Sequence, residues 1–136
     1  MDTDVVIAGF RSPSGASRQI LRAALRREVD LVISVGLALE YEAVLVRPVH
    51  RTAIGLTEDE IREVLDALLS TATLVRTDYL WRPILADPED EMVLETCLNG
   101  WASHLLTFNT RHFKPVAEWL GVRVLDPASG WRRMNR

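Results

Sequence analysis

Short apolar segments alternate with longer segments of helical periodicity through most of this chain of 136 residues. We predict strands at the apolar, β-branched segments, which are residues 2–10, 31–33, 73–75, 104–108 and 122–125. We predict helices where apolar residues recur every three or four positions, at residues 16–27, 35–46, 57–70, 88–100 and 113–120. Such alternation indicates an α/β fold, a three-layer sandwich in which helices flank a central, mostly parallel sheet of four to five strands.

The composition fits one compact domain spanning residues 1–136, because 48% of the residues are hydrophobic and 26% are charged. No apolar stretch approaches the roughly 20 residues of a membrane span, and no signal-peptide pattern opens the sequence. Cys97 is the single cysteine, which suits a reducing compartment, so we expect a cytoplasmic protein without membrane contact. The net charge of −3 disfavours a protein that only binds nucleic acid, since phosphate contacts need lysine and arginine.

Three carboxylates occupy positions at which the pattern predicts burial. Asp4 lies inside the predicted first strand, Glu40 on the apolar stripe of the second helix, and Asp90 at the head of the helix at residues 88–100. Burying an ionised carboxylate is costly unless a cation compensates its charge. A divalent cation would compensate all three, so these residues predict a metal site.

Helical geometry separates these acids from their neighbours. Glu40 shares a helix face with four apolar residues: Leu37, Tyr41, Val44 and Leu45. Glu42 lies well over ~100° away from that face, so we predict that Glu40 points inward and Glu42 outward. Asp90 heads the apolar stripe of its own helix. Three other acids of that helix fall to its sides and are predicted to be solvated: Glu89, Glu91 and Glu95.

Asp87 has two interpretations. An aspartate followed by Pro88 is typical of a helix N-cap, with the acids of the first turn favoured by the helix dipole. In a parallel α/β sheet, however, ligands bind beyond the carboxyl ends of the strands, where helix N-termini converge. Asp87 and Asp90 would then share a cleft with Asp2 and Asp4, whose spacing places both on one side of a strand.

Polar side chains also end the predicted strand at residues 104–108. Thr107 and Asn109 alternate onto one face there, where they would support the same cleft. Asn109 fits equally well as the start of a loop or as a helix cap.

Three arginines, Arg18, Arg22 and Arg26, recur at four-residue spacing on one helix face. They form either a solvated surface or a contact for RNA or an acidic partner.

Four short motifs resemble the PIN-domain nucleases, in particular the VapC-like toxins of toxin–antitoxin systems. Met-Asp-Thr-Asp-Val-Val-Ile-Ala at the start of the chain is similar to the first motif of that family. Leu-Ala-Leu-Glu-Tyr-Glu-Ala-Val-Leu resembles the helix that carries its glutamate, here Glu40. Asp-Pro-Glu-Asp, at residues 87–90, and Leu-Thr-Phe-Asn, at residues 106–109, resemble its two later motifs, and the order along the chain is the same.

The resemblance implies a Mg²⁺- or Mn²⁺-dependent endoribonuclease that acts on RNA through a metal-activated water. It implies metal ligands at Asp2, Glu40 and Asp87 or Asp90, with Asn109 as polar support. It also implies neutralisation by a cognate antitoxin and a homodimeric assembly.

The chain departs from the family pattern in two ways. Asp4 stands where the family commonly has asparagine, which adds a negative charge. The apolar residues that normally precede the first aspartate are missing, because the sequence starts at Met1. Either the first strand lies mostly after Asp4, or the start is placed too late and the edge of the sheet is weakened.

Two other functions stay open. Asp-Thr-Asp-Val also fits the first motif of haloacid-dehalogenase-type phosphatases, with Asp2 as nucleophile and Ser34 imitating the second motif. Lys114 is the sole lysine and follows Asp87 and Asp90, which reverses the order expected for that family. The chain could also be a degenerate, non-catalytic PIN-like domain that only binds a partner.

Overall fold

A computed structural model of the protein describes residues 1–77 and 87–136. This part of the chain contains eight helices: α1 (Thr3–Arg11), α2 (Ala16–Leu25), α3 (Val35–Leu45), α4 (Pro48–Ile54), α5 (Glu58–Thr71), α6 (Pro88–Asn99), α7 (Thr110–Trp119) and α8 (Pro127–Met134). It contains four strands: β1 (Val32–Ser34), β2 (Thr73–Val75), β3 (His104–Leu106) and β4 (Arg123–Leu125). The α/β class is confirmed.

The strands form two separate parallel pairs. In one pair β1 lies beside β2, with Ile33 opposite Leu74. In the other β3 lies beside β4, with Leu105 opposite Val124. Parallel pairing follows the prediction, but within the described residues the four strands form two short sheets and not one sheet of four to five strands.

The prediction of a strand at residues 2–10 is wrong, because this segment is helix α1. Asp2 caps the helix by accepting a hydrogen bond from the backbone N–H of Thr3. The buried positions are Val5, Val6, Gly9 and Phe10, whose spacing places them on one helical face. A short apolar segment fits a strand or a buried helix equally well. Here the N-cap at Asp2 and the packing against α2 and α3 favour the helix.

Most other predicted elements are confirmed within a few residues. The capping box of α5 is present in full, with Thr57 and Glu60 each bonding the other's backbone N–H. Two helices, α4 and α8, were not predicted. Each begins with proline at its first position, and Asp126 caps α8 by accepting a hydrogen bond from the Ser129 N–H. These start signals are visible in the sequence, but the helices are too short to show a clear apolar periodicity.

The core lies between the helices and the strand pairs. Its largest fully buried side chains come from α2, α3, α5, β1, β3 and α7: Ile20, Tyr41, Ile61, Ile33, Leu105 and Phe113. Within residues 1–77 and 87–136, no helix has the length and apolar character needed to cross a bilayer.

Helices α1 and α2 pack closely at Gly9. A Cβ atom built there would lie 2.3 Å from Cδ1 of Leu21 and 3.2 Å from the backbone oxygen of Ser17. Gly9→Ala should therefore lower the free energy of unfolding by up to about 1 kcal/mol, because the overpacking exceeds the gain in helix propensity. Urea unfolding measures the change.

Gly36→Ala provides the matched control. Gly36 lies on α3, and its added Cβ would approach only the flexible Met92 side chain, with Sδ at 3.1 Å. Gly36→Ala should be neutral or stabilising, and an equal loss in both variants would contradict the close packing at Gly9.

Candidate active site

Asp2 is held in place by two hydrogen bonds at the start of α1. Its Oδ1 accepts from the Thr3 backbone N–H at 2.8 Å, and its Oδ2 accepts from the Thr107 hydroxyl at 2.7 Å. Thr107 is fully buried directly after β3, and Asp2 is 8% exposed. Asp2 also donates its backbone N–H to the carbonyl of Leu106 at 2.9 Å. The carboxylate is therefore fixed at the carboxyl end of β3, as predicted, although a helix and not a strand carries it.

Asp4 lies in the first turn of the same helix and faces the loop after β3. Its Oδ2 accepts from the Phe108 backbone N–H at 3.2 Å and from the Asn109 side-chain amide at 3.3 Å. Its Oδ1 is buried and has no hydrogen-bond partner in the described part of the chain. Desolvation and the negative charge of Asp2 raise the pKa of Asp4 to about 6.

Of the two roles left open for Asn109, its side chain takes the one that supports the acids. It occupies the N-cap position of α7, but its side chain makes no cap and instead donates to Asp4. Its backbone N–H donates to the Thr107 hydroxyl oxygen at 3.0 Å. Thr107 and Asn109 thus support Asp2 and Asp4 through hydrogen bonds.

Asp90 lies in the first turn of α6, near enough to Asp2 for the charge of Asp2 to act on it. Burial raises its pKa, and the charges of Asp87 and Asp2 raise it further, whereas His112 lowers it. Nδ1 of His112 lies 3.3 Å from Oδ2 of Asp90. We call Asp2, Asp4 and Asp90 the aspartate cluster.

Asp87 serves as the N-cap of α6, as one of its two interpretations predicted. Its Oδ1 accepts from the Glu89 backbone N–H at 2.9 Å, and its side chain is exposed. Its charge still acts on Asp90, so it belongs to the rim of the cluster.

Glu40 is half-buried at the edge of the stripe on α3. Desolvation raises its pKa, the charge of Glu89 raises it further, and Arg47 lowers it. The charges that act on Glu40 are therefore Glu89, in the first turn of α6, and Arg47, the N-cap residue of α4. Glu42 forms an ion pair with Arg62 of α5 at 3.0 Å. Glu40 was predicted to point inward and Glu42 outward, but both residues are half-buried, so Glu40 is less buried than the pattern suggested.

Sequence reasoning missed three residues of α6 and α7. Glu91 and Glu95 were predicted to be solvated but are 5% and 3% exposed, because α6 is enclosed on more than its apolar stripe. His112 was not singled out, although it stands three positions after Asn109 and so shares the first turn of α7 with it.

The three arginines at four-residue spacing, Arg18, Arg22 and Arg26, have different surroundings. Arg18 donates from Nη2 to the Phe10 carbonyl at 2.9 Å and from Nε to the Gly9 carbonyl, so its guanidinium binds the C-terminal end of α1. Arg22 and Arg26 are exposed. A contact with RNA or a partner therefore remains a prediction for Arg22 and Arg26, while Arg18 already has a structural role.

The aspartate cluster has the chemistry of a divalent-cation site. Asp4 Oδ1 is a buried oxygen without a partner, and no Lys or Arg of residues 1–77 and 87–136 forms an ion pair with the cluster. In the same part of the chain no three acidic, His or Cys side chains gather into a ready-made ion site. Mg²⁺ commonly uses one or two carboxylates and keeps several waters, so one or two of these aspartates would be enough to hold it.

The fold and the cluster define an α/β protein with a carboxylate site where helix N-termini meet the carboxyl end of a parallel strand pair. The family model described as PIN domain matches residues 1–111, and the chain belongs to this family, whose members are usually nucleases. The matched segment includes every residue of the aspartate cluster together with Glu40, Thr107 and Asn109. No solved structure matches the chain.

Proposed function

We propose that the protein is a divalent-metal-dependent endoribonuclease whose ion is held at Asp2, Asp4 and Asp90, with Glu40 and Asp87 on the rim. The observation that carries the proposal is the aspartate cluster, in which the charge of Asp2 raises the pKa of both other members. Such mutual repulsion is relieved by a cation. When bound, Mg²⁺ or Mn²⁺ would neutralise charge on the phosphoryl oxygens and acidify a water for attack on phosphorus.

The residues of the chain orient and tune the cluster. Thr107 and the Thr3 N–H fix the two oxygens of Asp2, and Asn109 and the Phe108 N–H hold one oxygen of Asp4. The other oxygen of Asp4 has no hydrogen-bond partner among residues 1–77 and 87–136, so it can take a ligand. This fixed arrangement is what a site must have if it is to hold an ion without reorganising during the reaction.

The family resemblance supports a narrower role as well. We propose that the protein is the toxin component of a toxin–antitoxin system, with a cognate antitoxin and a homodimeric state, acting on RNA in the cytoplasm.

The phosphatase alternative has less support. Ser34, which would have imitated its second motif, is buried and bonds Thr96 Oγ1 at 2.8 Å and the Leu37 N–H at 3.2 Å. The non-catalytic alternative is separated from the nuclease by the experiment that follows.

Cleavage of a labelled single-stranded RNA tests the proposal, with a DNA of the same sequence as comparison. We expect cleavage of the RNA in millimolar Mg²⁺ or Mn²⁺ and none in EDTA. Glu40→Gln should lower the rate by about 10-fold or more, the size typical of a residue that supports a metal site.

Glu42→Gln is the matched control, because Glu42 lies two residues away on the same helix and pairs with Arg62. It should cleave RNA like the wild type. Cleavage that persists in EDTA would contradict metal dependence, and Mn²⁺ binding without cleavage of any RNA would favour the non-catalytic alternative.

A further inference from the structure

Phe108 is an exposed aromatic residue that adjoins the aspartate cluster. It lies between Thr107 and Asn109 in the turn that follows β3, and it is 53% exposed. Its backbone N–H donates a hydrogen bond to Oδ2 of Asp4 at 3.2 Å. The aromatic ring is therefore attached to a backbone that directly contacts one of the carboxylates proposed to hold the ion.

The turn that carries this ring is fixed by three further hydrogen bonds. The Asn109 side-chain amide also donates to Oδ2 of Asp4, at 3.3 Å. The Thr107 hydroxyl donates to Asp2 at 2.7 Å and accepts from the Asn109 backbone N–H at 3.0 Å. An aromatic side chain has few rotatable bonds, so on a fixed backbone it loses little conformational entropy when a ligand covers it.

Packing within the chain accounts for only part of the Phe108 surface. The residue before a helix N-cap often packs against the fourth residue of the helix, which in α7 is Phe113. Phe113 is fully buried in the core, yet about half of Phe108 stays exposed. Such a contact therefore leaves much of the ring available to a ligand.

Its position separates Phe108 from the two other exposed aromatic residues in the described part of the chain. Trp101 follows the C-terminal end of α6, and Trp119 is the last residue of α7. Both helices begin beside the aspartate cluster, and at 1.5 Å per residue their 12 and 10 residues span about 18 and 15 Å. Trp119 is thus an exposed aromatic residue at the far end of α7 from the cluster.

The chemistry beside the ring favours RNA as the ligand that covers it. A nucleic acid whose phosphate reaches the aspartate cluster also brings the sugar and base of that nucleotide to the neighbouring side chains. Every base has a flat π face on which an aromatic side chain can stack. Arg111 and Lys114 are exposed on α7 and form no ion pair with an acid of residues 1–77 and 87–136, so they are available to phosphates of the same strand.

We propose that the Phe108 ring binds RNA by stacking on the base of a nucleotide that flanks the cleaved bond, with Arg111 and Lys114 contacting phosphates of the same strand. This inference rests on the proposed endoribonuclease activity. The stack requires an unpaired base, since a base within a duplex already stacks on its neighbours. Stacking contributes equally to binding of the substrate and of the transition state, so it lowers KM and leaves kcat nearly unchanged.

A double-mutant cycle between the protein and the RNA tests the stack. The cleaved bond is mapped by sequencing the products of a labelled single-stranded RNA in Mg²⁺, and the base is then removed from each of the two flanking nucleotides in turn. For one of these abasic RNAs, the KM of the wild type should rise by at least about fivefold. Phe108→Leu should raise the KM for the intact RNA by a similar factor but cause no further rise on that abasic RNA, because the ring has no base to contact there.

Two variants and one binding measurement serve as controls. Phe108→Tyr keeps the aromatic face and should cleave the intact RNA like the wild type. Trp119→Leu removes an exposed aromatic ring far from the aspartate cluster and should leave KM unchanged. Leucine at position 108 keeps the backbone N–H that bonds Asp4, so Mn²⁺ binding to Phe108→Leu, measured by calorimetry, should equal that of the wild type.

The stack is overturned if the wild type and Phe108→Leu have equal KM for the intact RNA, or if Phe108→Leu raises KM equally on the intact and abasic RNAs. An equal rise in KM in Trp119→Leu, or a loss of Mn²⁺ affinity in Phe108→Leu, would also overturn it. All of these results leave the proposed function standing, because the wild type still cleaves RNA. Absence of cleavage by the wild type in both Mg²⁺ and Mn²⁺ would overturn the proposed function, and this inference with it.

Discussion

Replacing Asp2 by asparagine should lower the rate of RNA cleavage by roughly 10²–10³-fold while leaving the fold intact. Asparagine is as good an N-cap as aspartate and can still accept the Thr3 N–H, so α1 should keep its start. The change removes the one charge that acts on both other members of the aspartate cluster. Mn²⁺ binding by calorimetry should weaken together with the cleavage rate.

Asp126→Asn is the matched control for this substitution. Asp126 caps α8 by accepting from the Ser129 N–H at 2.8 Å, so it has the same role at a helix start outside the aspartate cluster. It should leave cleavage and Mn²⁺ binding unchanged. Full activity in Asp2→Asn, with Mn²⁺ affinity equal to that of the wild type, would remove Asp2 from the proposed site.

The second large effect concerns Asp4 and pH. Its pKa is raised to about 6 in the folded protein from 3.8, so the native state holds a proton that the unfolded chain has released. In metal-free buffer the free energy of unfolding should therefore fall as pH rises from about 4 to 6 and stay low above that range. The free energy of unfolding of Asp4→Asn should not fall in this way, because the amide carries no charge.

Thermal unfolding of the two proteins in EDTA between pH 4 and pH 7 measures the difference. We expect Asp4→Asn to be more stable than the wild type by roughly 1–2 kcal/mol at pH 7, after allowance for solvent screening of a half-buried group, and nearly equal to it at pH 4. The pKa values of Glu40 and Asp90 are raised as well, but both residues remain in both proteins, so their contributions cancel in the stability difference. Saturating Mn²⁺ at pH 7 should raise the stability of the wild type more than that of Asp4→Asn.

A stability difference that is constant from pH 4 to pH 7 would show that Asp4 does not titrate in this range. Such a result would also mean that burial and the charge of Asp2 raise the pKa of Asp4 less than the structure indicates.

Local signals in the sequence predicted the elements that depend on local chemistry. The capping box of α5 and the N-cap at Asp87 are formed by residues two or three positions apart, so the pattern contains all the partners. The same holds for the stripe on α3, where Leu37, Tyr41 and Leu45 are buried as their spacing predicts.

Segments that depend on distant partners were predicted less well. Residues 2–10 are apolar and β-branched, and nothing local distinguishes a strand from a helix that packs against α2 and α3. The burial of Glu91 and Glu95 likewise depends on what surrounds α6 on its other faces.

The sequence by itself determined the alternation of helices and parallel strands, the family, and which acidic residues are candidates for the site, since these follow from spacing, composition and short motifs. The tertiary structure alone decided that Asp2 meets Thr107, that Asp4 meets Asn109, and that Glu40 lies near Glu89 and Arg47. It also decided that the strands form two pairs with a groove between them. The physical reason is that burial, desolvation and mutual charge depend on distances between residues far apart in the sequence, more than a hundred positions apart for Asp2 and Thr107, which no local pattern contains.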